Sequence, residues 1–254
     1  MKYSALPIFK RFIGSDDGLE LKIVKRGAKP DGGGEVHFKC PTKMKLIPIN
    51  LTDPGKIKRI RGVAYAMRVA PAICNRMIDT AKGILLKFLP DVYIISDHQK
   101  AVNSGNSPGF GLTLVAETIN GTFLCAEASS LPRGSFGGRN QPDPSTPEDI
   151  ATRAAQRLLE EIYRGGCVDS TNQFLALLYM VINQKDVSKI LTGILSPFSY
   201  VVFMCKSQYL FYFKFSIYYF FKASSSSNAS TSSFRSNSRS RTVAVSQLTL
   251  ITTS

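Results

Sequence analysis

Two short stretches near the start of the chain alternate apolar and polar side chains, which is the pattern of half-buried strands. They cover residues 19–25 and 35–40, and the segment RGAKPDGGGE joins them. Pro30 and the three consecutive glycines that follow it require unusual backbone angles, which predicts a loop. After Gly62 the apolar positions recur with a period of two, which predicts a third strand through Val63, Tyr65, Met67 and Val69.

Helical periodicity follows this third strand. Pro71 opens a predicted helix whose apolar stripe comprises Ile73, Met77, Ala81, Ile84, Leu85 and Phe88. Residues 91–96 have the composition of another strand, and the segments on either side of Asn120-Gly121 predict a hairpin. Residues 51–127 therefore predict a compact α/β unit in the order strand, helix, strand, hairpin.

The next predicted helix has a full set of N-terminal signals. After the flexible composition of SSLPRGSFGGRNQPDPS, Thr146 stands at the N-cap, Pro147 at the first helical position and Asp149 three residues after the cap. Gly165-Gly166 predicts its end. Residues 168–183 predict one more helix, buried on most sides because FLALLYMVI is apolar throughout.

Beyond Pro197 the composition changes. Residues 200–222 are dense in aromatic and aliphatic side chains, and we interpret them as one or two core strands. The alternative is a membrane anchor, which the polar residues inside the run disfavour because they are costly at mid-bilayer. Residues 223–254 are a basic, serine-rich, low-complexity tail that is not expected to fold. The chain does not open on a secretory signal pattern.

Charge is concentrated in one short region. The formal net charge of the 254 residues is +14, and residues 22–61 hold eleven basic side chains against three acidic ones. Such an excess suggests a polyanionic partner. Within this region, Ile57 and Ile60 lie three apart, which breaks the strand alternation and predicts a β-bulge before Gly62.

Candidate catalytic chemistry is sparse. The five cysteines are widely spaced without a CxxC pattern, which indicates reduced, intracellular thiols. His37 and Cys40 are a weak pair with too few neighbours for zinc, so no metal site is expected. GGGEV and SGNSPGFG are glycine-rich but match no phosphate-binding pattern. We therefore predict no cofactor and name no catalytic residue.

Four separated blocks of the chain resemble the RNA 3′-terminal phosphate cyclase superfamily, and in particular its non-cyclase, nucleolar branch. The blocks are LKIVKRGAKPDGGGEV, LTDPGKIKRIRGVAYAMRV, VNSGNSPGFGLTLVAET and EEIYRGGCVDSTNQ. They follow the family order, and the resemblance extends from about Leu6 to about Pro197.

The resemblance implies an α+β or α/β fold of repeated units, each with two helices on a four-stranded sheet, interrupted by a smaller α/β insert domain. On this basis residues 1–45 are part of the repeat domain, residues 46–137 are the insert domain, and residues 138–199 continue the repeat domain. Residues 200–222 are then a divergent apolar segment and residues 223–254 the tail.

Three departures separate the chain from the true cyclases that it resembles. Those enzymes carry a catalytic histidine, adenylylated by ATP, beyond the helix that matches residues 168–183, whereas this sequence has no histidine after His98. A cyclase Asp-Gln pair is matched here by Asn172-Gln173. The chain also starts inside the family pattern and leaves it near Pro197. Without the nucleophile no covalent adenylate forms, so cyclase activity is not expected.

The function that the resemblance implies is ribosome biogenesis, in the processing of small-subunit (18S) rRNA. The expected partners are pre-rRNA, a nucleolar GTPase and small-subunit processome proteins, in the nucleus and nucleolus, with a role in endonucleolytic cleavage of the precursor. The alternatives are an ATP-dependent RNA 3′-terminal phosphate cyclase and an inactive, truncated splice product.

The predicted RNA- or partner-binding residues are Lys25, Arg26, Lys56, Lys58, Arg59 and Arg61. Phosphate contacts suit such side chains, whereas no aromatic residue that would suit single-stranded RNA is interleaved with them, so sequence-specific readout is not indicated. The alternative interpretation is an edge strand whose charges prevent pairing with another sheet.

Overall fold

The computed structural model describes residues 2–14, 18–42, 46–100, 103–131, 146–183, 187–199, 215–219 and 241–247. It is a mixed α and β protein, as predicted. The helices are α1 (Ala5–Ile13), α2 (Ala72–Leu85), α3 (Pro147–Arg164) and α4 (Gln173–Ile182). The strands are β1 (Glu20–Lys25), β2 (Glu35–Lys39), β3 (Asn50–Leu51), β4 (Ile57–Met67), β5 (Val92–Gln99), β6 (Gly109–Thr118), β7 (Phe123–Ser129), β8 (Ser188–Thr192), β9 (Phe215–Tyr219) and β10 (Arg241–Gln247).

The first two predicted strands are confirmed as an antiparallel hairpin. Glu20 of β1 lies opposite Lys39 of β2, and Ile23 lies opposite Val36. Leu21 packs with Leu6, Ile13 and Leu19, which ties the base of the hairpin to α1. Every residue of β2 is exposed, whereas the loop of the hairpin packs against Gly105 and Asn106.

The largest sheet has the strand order β5-β4-β6-β7. β4 runs parallel to β5, with α2 as the crossover between them, and antiparallel to β6, while β6 and β7 form the predicted hairpin. Alternate residues of β4 from Ile60 onward are buried against α2 and α3. The opposite face of this sheet, which carries Arg59, Arg61, Val63 and Tyr65 of β4, is not covered by these helices, and we call it the open face.

Helix α3 is part of the same packed unit. The predicted capping signals are confirmed, because the Thr146 hydroxyl accepts from the Asp149 N–H and the Asp149 carboxylate accepts from the Thr146 N–H. Ile150, Ala154 and Leu158 are fully buried in one core with residues of α2, β4, β6 and β7. The resemblance implied that the insert domain ends at residue 137, whereas this packing leads us to propose an end after α3.

A second core joins α1, α4, β3 and β8 around Phe12, Val168, Met180 and Ile190. Helix α4 begins at Gln173, so the predicted start at residue 168 is wrong. The cause is a turn, in which the N–H groups of Asn172 and Gln173 both bond to the Asp169 carbonyl. The prediction that this helix is mostly buried is confirmed for residues 173–180, none of which is exposed, while Ile182 at its end is 52% exposed.

The last sheet has the order β3-β8-β10-β9. The prediction that all of residues 223–254 remain unfolded is wrong for residues 241–247, which form β10 and pair with both β8 and β9. The segment RTVAVSQ places β-branched residues at alternate positions, which favours a strand. The serine-rich residues 224–240 lie outside the described residues. Among the described ranges, no helix has both the length and the apolar character required to cross a membrane.

Candidate nucleic-acid interface

The charged start of β4 contains the predicted bulge. The register against β6 shifts between Ile57 and Arg59, which lie opposite Thr118 and Glu117. Ile57 and Ile60 both pack into the helix-covered core. The bulge adds one residue to the strand, so Ile57 and Ile60 both face the core although they are three positions apart. Arg59 and Arg61 then lie on the open face.

Both arginines of this segment are held in ion pairs across the sheet. The Nε of Arg59 lies 2.6 Å from Oε2 of Glu117 on β6. Arg61 donates through both terminal nitrogens to the Asp91 carboxylate, at 2.6 and 3.1 Å. Its hydrogen bonds are the main cause that lowers the pKa of Asp91, and Lys58 contributes by its charge. The two guanidinium groups are therefore largely neutralised and fixed in place.

The two lysines at the start of β4 differ from these arginines in their contacts. Lys56 and Lys58 are exposed, and neither forms an ion pair with any residue that the structure describes. An unpaired lysine is a mobile, strongly hydrated point charge that can approach a phosphate without breaking an existing contact. Of the four predicted residues at the start of β4, the lysines are the better candidates for direct phosphate contacts.

Aromatic side chains from other segments flank this charged segment, although none is interleaved with it in the sequence. Tyr93 of β5 lies opposite Arg61 and is 58% exposed. Phe123 of β7 lies opposite Glu117, and Tyr3 approaches from the segment before α1. These neighbours were not predicted because they come from other segments of the chain. The cross-strand register is the signal that identifies them.

These residues border a groove on the open face, which we call the open-face groove. Its cavity volume is about 290 Å³, and its lining is Tyr3, Arg61, Gly62, Val63, Ile95, Thr113, Val115, Glu117 and Phe123. The floor is mainly apolar, and the Arg61 and Glu117 side chains supply polar groups. A planar ring can lie on such a floor while its substituents reach the charged rim.

Lys25 and Arg26 do not join this cluster. Arg26 bonds through Nε to Oδ2 of Asp97 at 2.7 Å and lies 4.9 Å above the Tyr65 ring. Tyr65 is seven residues beyond Lys58 on β4, which corresponds to roughly 23 Å along a strand. Lys25 is half-buried opposite Glu35 in the hairpin. The structure thus divides the six predicted residues into two groups.

The glycine-rich segments GGGEV and SGNSPGFG pack against each other. Gly105 N–H bonds to the Arg26 carbonyl at 2.7 Å, and Asn106 N–H bonds to the Gly32 carbonyl at 3.0 Å. A Cβ at Gly105 would overlap the Gly32 oxygen, so the close approach requires glycine. Loop packing therefore accounts for these glycines without a bound phosphate.

Asn172 and Gln173, which match the cyclase Asp-Gln pair, make structural contacts. Asn172 Nδ2 donates to Ser4 Oγ at 3.0 Å and to both oxygens of Asp169. Gln173 donates to the Ile194 carbonyl and accepts from the Ser196 N–H. Burial raises the pKa of Asp169 to about 6. This polar cluster connects the N-terminal segment to the start of α4.

The histidines and cysteines do not form a reactive cluster in the described part of the chain. His98 Nε2 lies 3.0 Å from the Val69 carbonyl, while His37 contacts Glu35 in the exposed hairpin. Burial raises the pKa of Cys125 and of Cys167 to about 11, which disfavours the thiolate. No group of three metal-ligating side chains is found among the described residues.

The family model that matches the chain is the RNA 3′-terminal phosphate cyclase insert domain, over residues 52–163. The chain is 58% identical over 199 residues to the RNA 3′-terminal phosphate cyclase-like protein of Homo sapiens, covering 78% of this chain and 52% of that protein. It is 51% identical over 199 residues to the probable RNA 3′-terminal phosphate cyclase-like protein of Drosophila melanogaster, with 78% and 51% covered. It is 42% identical over 203 residues to the rRNA processing protein rcl1 of Schizosaccharomyces pombe, with 80% and 53% covered. The chain spans about half the length of the curated relatives that it matches.

Proposed function

Because the chain belongs to the RNA 3′-terminal phosphate cyclase-like family, we propose that it acts in rRNA processing as a ribosome biogenesis factor that binds pre-rRNA. The observation that carries this proposal is the similarity to the rRNA processing protein rcl1 of Schizosaccharomyces pombe. At the level of the site, it is supported by two exposed lysines at the start of β4, the strand whose later residues Arg61 and Val63 line an apolar groove with aromatic borders.

The finer proposal is a role in maturation of the small-subunit (18S) rRNA, in the nucleolus. A nucleolar GTPase and processome proteins are the proposed protein partners, and the chain assists endonucleolytic cleavage by holding the precursor. The geometry supports holding rather than cleaving, because Lys56 and Lys58 supply charge while the two arginines beside them are committed to Glu117 and Asp91. No catalytic residue is proposed.

The test is binding of the purified chain to a fluorescent pre-rRNA segment across a salt series. In Lys56→Glu/Lys58→Glu, loss of two phosphate contacts on a single strand flattens the log–log salt slope by about 1.4. The matched control is Lys82→Glu/Lys189→Glu, with one lysine on α2 and one on β8. The control should bind as the unchanged chain does. Equal slopes for the two variants would contradict the proposed RNA surface.

ATP-dependent cyclisation is the second candidate, because the matched insert-domain family is that of the cyclase. Incubation with ATP labelled on its α-phosphate distinguishes the two candidates. We expect no covalent label, since His98 is engaged with a backbone carbonyl and His37 lies on an exposed hairpin away from any described pocket. A stable protein adenylate would instead favour the cyclase.

A further inference from the structure

A second pair of basic side chains lies at the β7 edge of the large sheet. Arg153 and Arg157 are four residues apart on α3, and both are exposed. They line a pocket of about 300 Å³ with Tyr65, Glu127, Ser129 and Leu131, which we call the edge pocket. Neither arginine was singled out from the sequence, where they stand in an ordinary amphipathic helix.

The contacts of these arginines leave most of their donors available. Arg157 uses one terminal nitrogen to donate to the Glu127 carbonyl at 2.9 Å. Arg153 lowers the pKa of Asp149 by its charge, but the Asp149 carboxylate is already bonded to Thr146. Neither guanidinium forms a salt bridge with another described residue. Glu127 is the acidic side chain of the edge pocket and partly offsets their charge.

The edge pocket and the open-face groove share one surface. Val63 lines the groove and Tyr65 lines the pocket, two residues further along β4. Thr113 of the groove lies directly opposite Glu127 of the pocket. Arg153 and Arg157 therefore stand at one end of a continuous surface. Exposed Lys58 lies at the start of β4 beyond the other end, where Lys56 lines a separate pocket with Phe88 and Ile162. Exposed Tyr93 and Ile95 lie beside the first half of this surface.

The aromatic residues at the two ends of this surface differ in whether their rings are free to stack on a base. The Tyr65 ring is occupied, since Arg26 covers it and its hydroxyl bonds to Ser129. Gly111 makes this arrangement possible, because a Cβ there would overlap the Tyr65 hydroxyl. Tyr93 has no such cover in the described chain, so it is the aromatic side chain available for stacking.

We propose that the open face binds single-stranded RNA along a path from Lys56 and Lys58 across the open-face groove to Arg153 and Arg157. This inference rests on the proposed function and adds the edge pocket to the site. Separated cations suit successive phosphates, and the apolar floor with Tyr93 suits bases that are not paired. The span from Lys58 to Tyr65, roughly 23 Å, accommodates a site on the order of four nucleotides or more. An RNA duplex hides its base faces and gains nothing from the groove.

The test uses uridine oligonucleotides of increasing length, with a matched RNA duplex, and the whole chain. Affinity for the single strand should increase with length until both ends of the path are occupied. Arg153→Gln/Arg157→Gln should flatten the salt slope by about 1.4 for long oligonucleotides and leave it unchanged for dinucleotides, which reach only one end. Tyr93→Ala should weaken binding roughly 10-fold through lost stacking. Lys82→Gln/Lys189→Gln is the matched control.

Each outcome separates this inference from the proposed function. If Lys56→Glu/Lys58→Glu alters RNA binding while the arginine variant does not, RNA binding stands and the path to the edge pocket is wrong. Equal affinity for duplex and single strand would also overturn the path. If the unchanged chain binds no RNA, the proposed function itself fails. Circular dichroism of every variant verifies folding, and the Arg→Gln changes remove charge without introducing a buried acid.

Discussion

The two glycine-rich loops pack so closely that there is no space for a side chain at Gly105. A Cβ at Gly105 would overlap the Gly32 carbonyl and lie 2.8 Å from Gly27 Cα, so backbone atoms must move. We expect Gly105→Ala to lower the unfolding free energy by about 1–3 kcal/mol, measured by urea denaturation. Gly83→Ala is the matched control, since no atom lies within 4 Å of the added carbon in α2. It should stabilise by about 0.5–1 kcal/mol. Equal stability of the two variants would contradict the loop packing.

Asp169 makes stability depend on pH in an unusual direction. Burial raises its folded pKa to about 6, above the usual value of 3.8. Well below pH 3.8 both states are protonated and there is no penalty. As the pH rises to 6 the unfolded chain ionises first, so the folded state loses on the order of 3 kcal/mol relative to it. In Asp169→Asn this loss should disappear, measured by denaturation at pH 4 and pH 7. Identical pH dependence in both proteins would show that Asp169 titrates normally.

Which side chains carry charge at the start of β4 could be predicted from the sequence, but their partners could not. Glu117 and Asp91 lie 58 and 30 residues away from Arg59 and Arg61, and only the sheet register brings them together. The same register brings Tyr93 beside Arg61. Local patterns do not contain this information, so the neutralised arginines and the open-face groove were both missed. Arg26 contacts Asp97, 71 residues away, so its position apart from the basic residues of β4 could not be predicted from local patterns either.

Elements with strong local signals were predicted well. The capping residues of α3 and the Asn120-Gly121 turn act within a few residues, so the sequence alone determines them. The start of α4 was missed because Asp169 and Asn172 form a buried turn with Ser4, 168 residues before Asn172. A tertiary contact there overrides the apolar pattern that favoured a longer helix.

The N-terminus of α3 is expected to contribute measurably to stability. Thr146→Ala removes the hydroxyl that accepts from the Asp149 N–H and donates to the Asp149 carboxylate, which keeps only its bond from the backbone N–H of residue 146. We expect a loss of about 1 kcal/mol, seen as a lower Tm by circular dichroism. Thr52→Ala, at an exposed position before β4, is the matched control and should leave Tm unchanged. A similar Tm for both variants would mean that packing alone holds the helix end.

For the molecule as a whole, the fold class could be predicted, whereas the division into units remains a proposal. The resemblance to the cyclase superfamily implied a boundary at residue 137, in the flexible stretch before Thr146. Packing instead places α3 on the β5-β4-β6-β7 sheet, and the family model extends to residue 163. The composition of a connecting segment indicates a flexible linker. Only packing contacts show to which of the two flanking units the next helix belongs.

The proposed boundary can be tested with two fragments. Residues 51–166 should fold alone with a single cooperative transition, because their sheet is covered by both α2 and α3. Residues 51–137 should aggregate or unfold without a clear transition, since the loss of α3 uncovers the core that Ile150, Ala154 and Leu158 now bury. Leu158→Ala in the longer fragment provides an intermediate case, with a loss of about 2–5 kcal/mol. A shorter fragment as stable as the longer one would place α3 outside the unit. Such a result would mean that the helix only rests on a sheet that is complete without it.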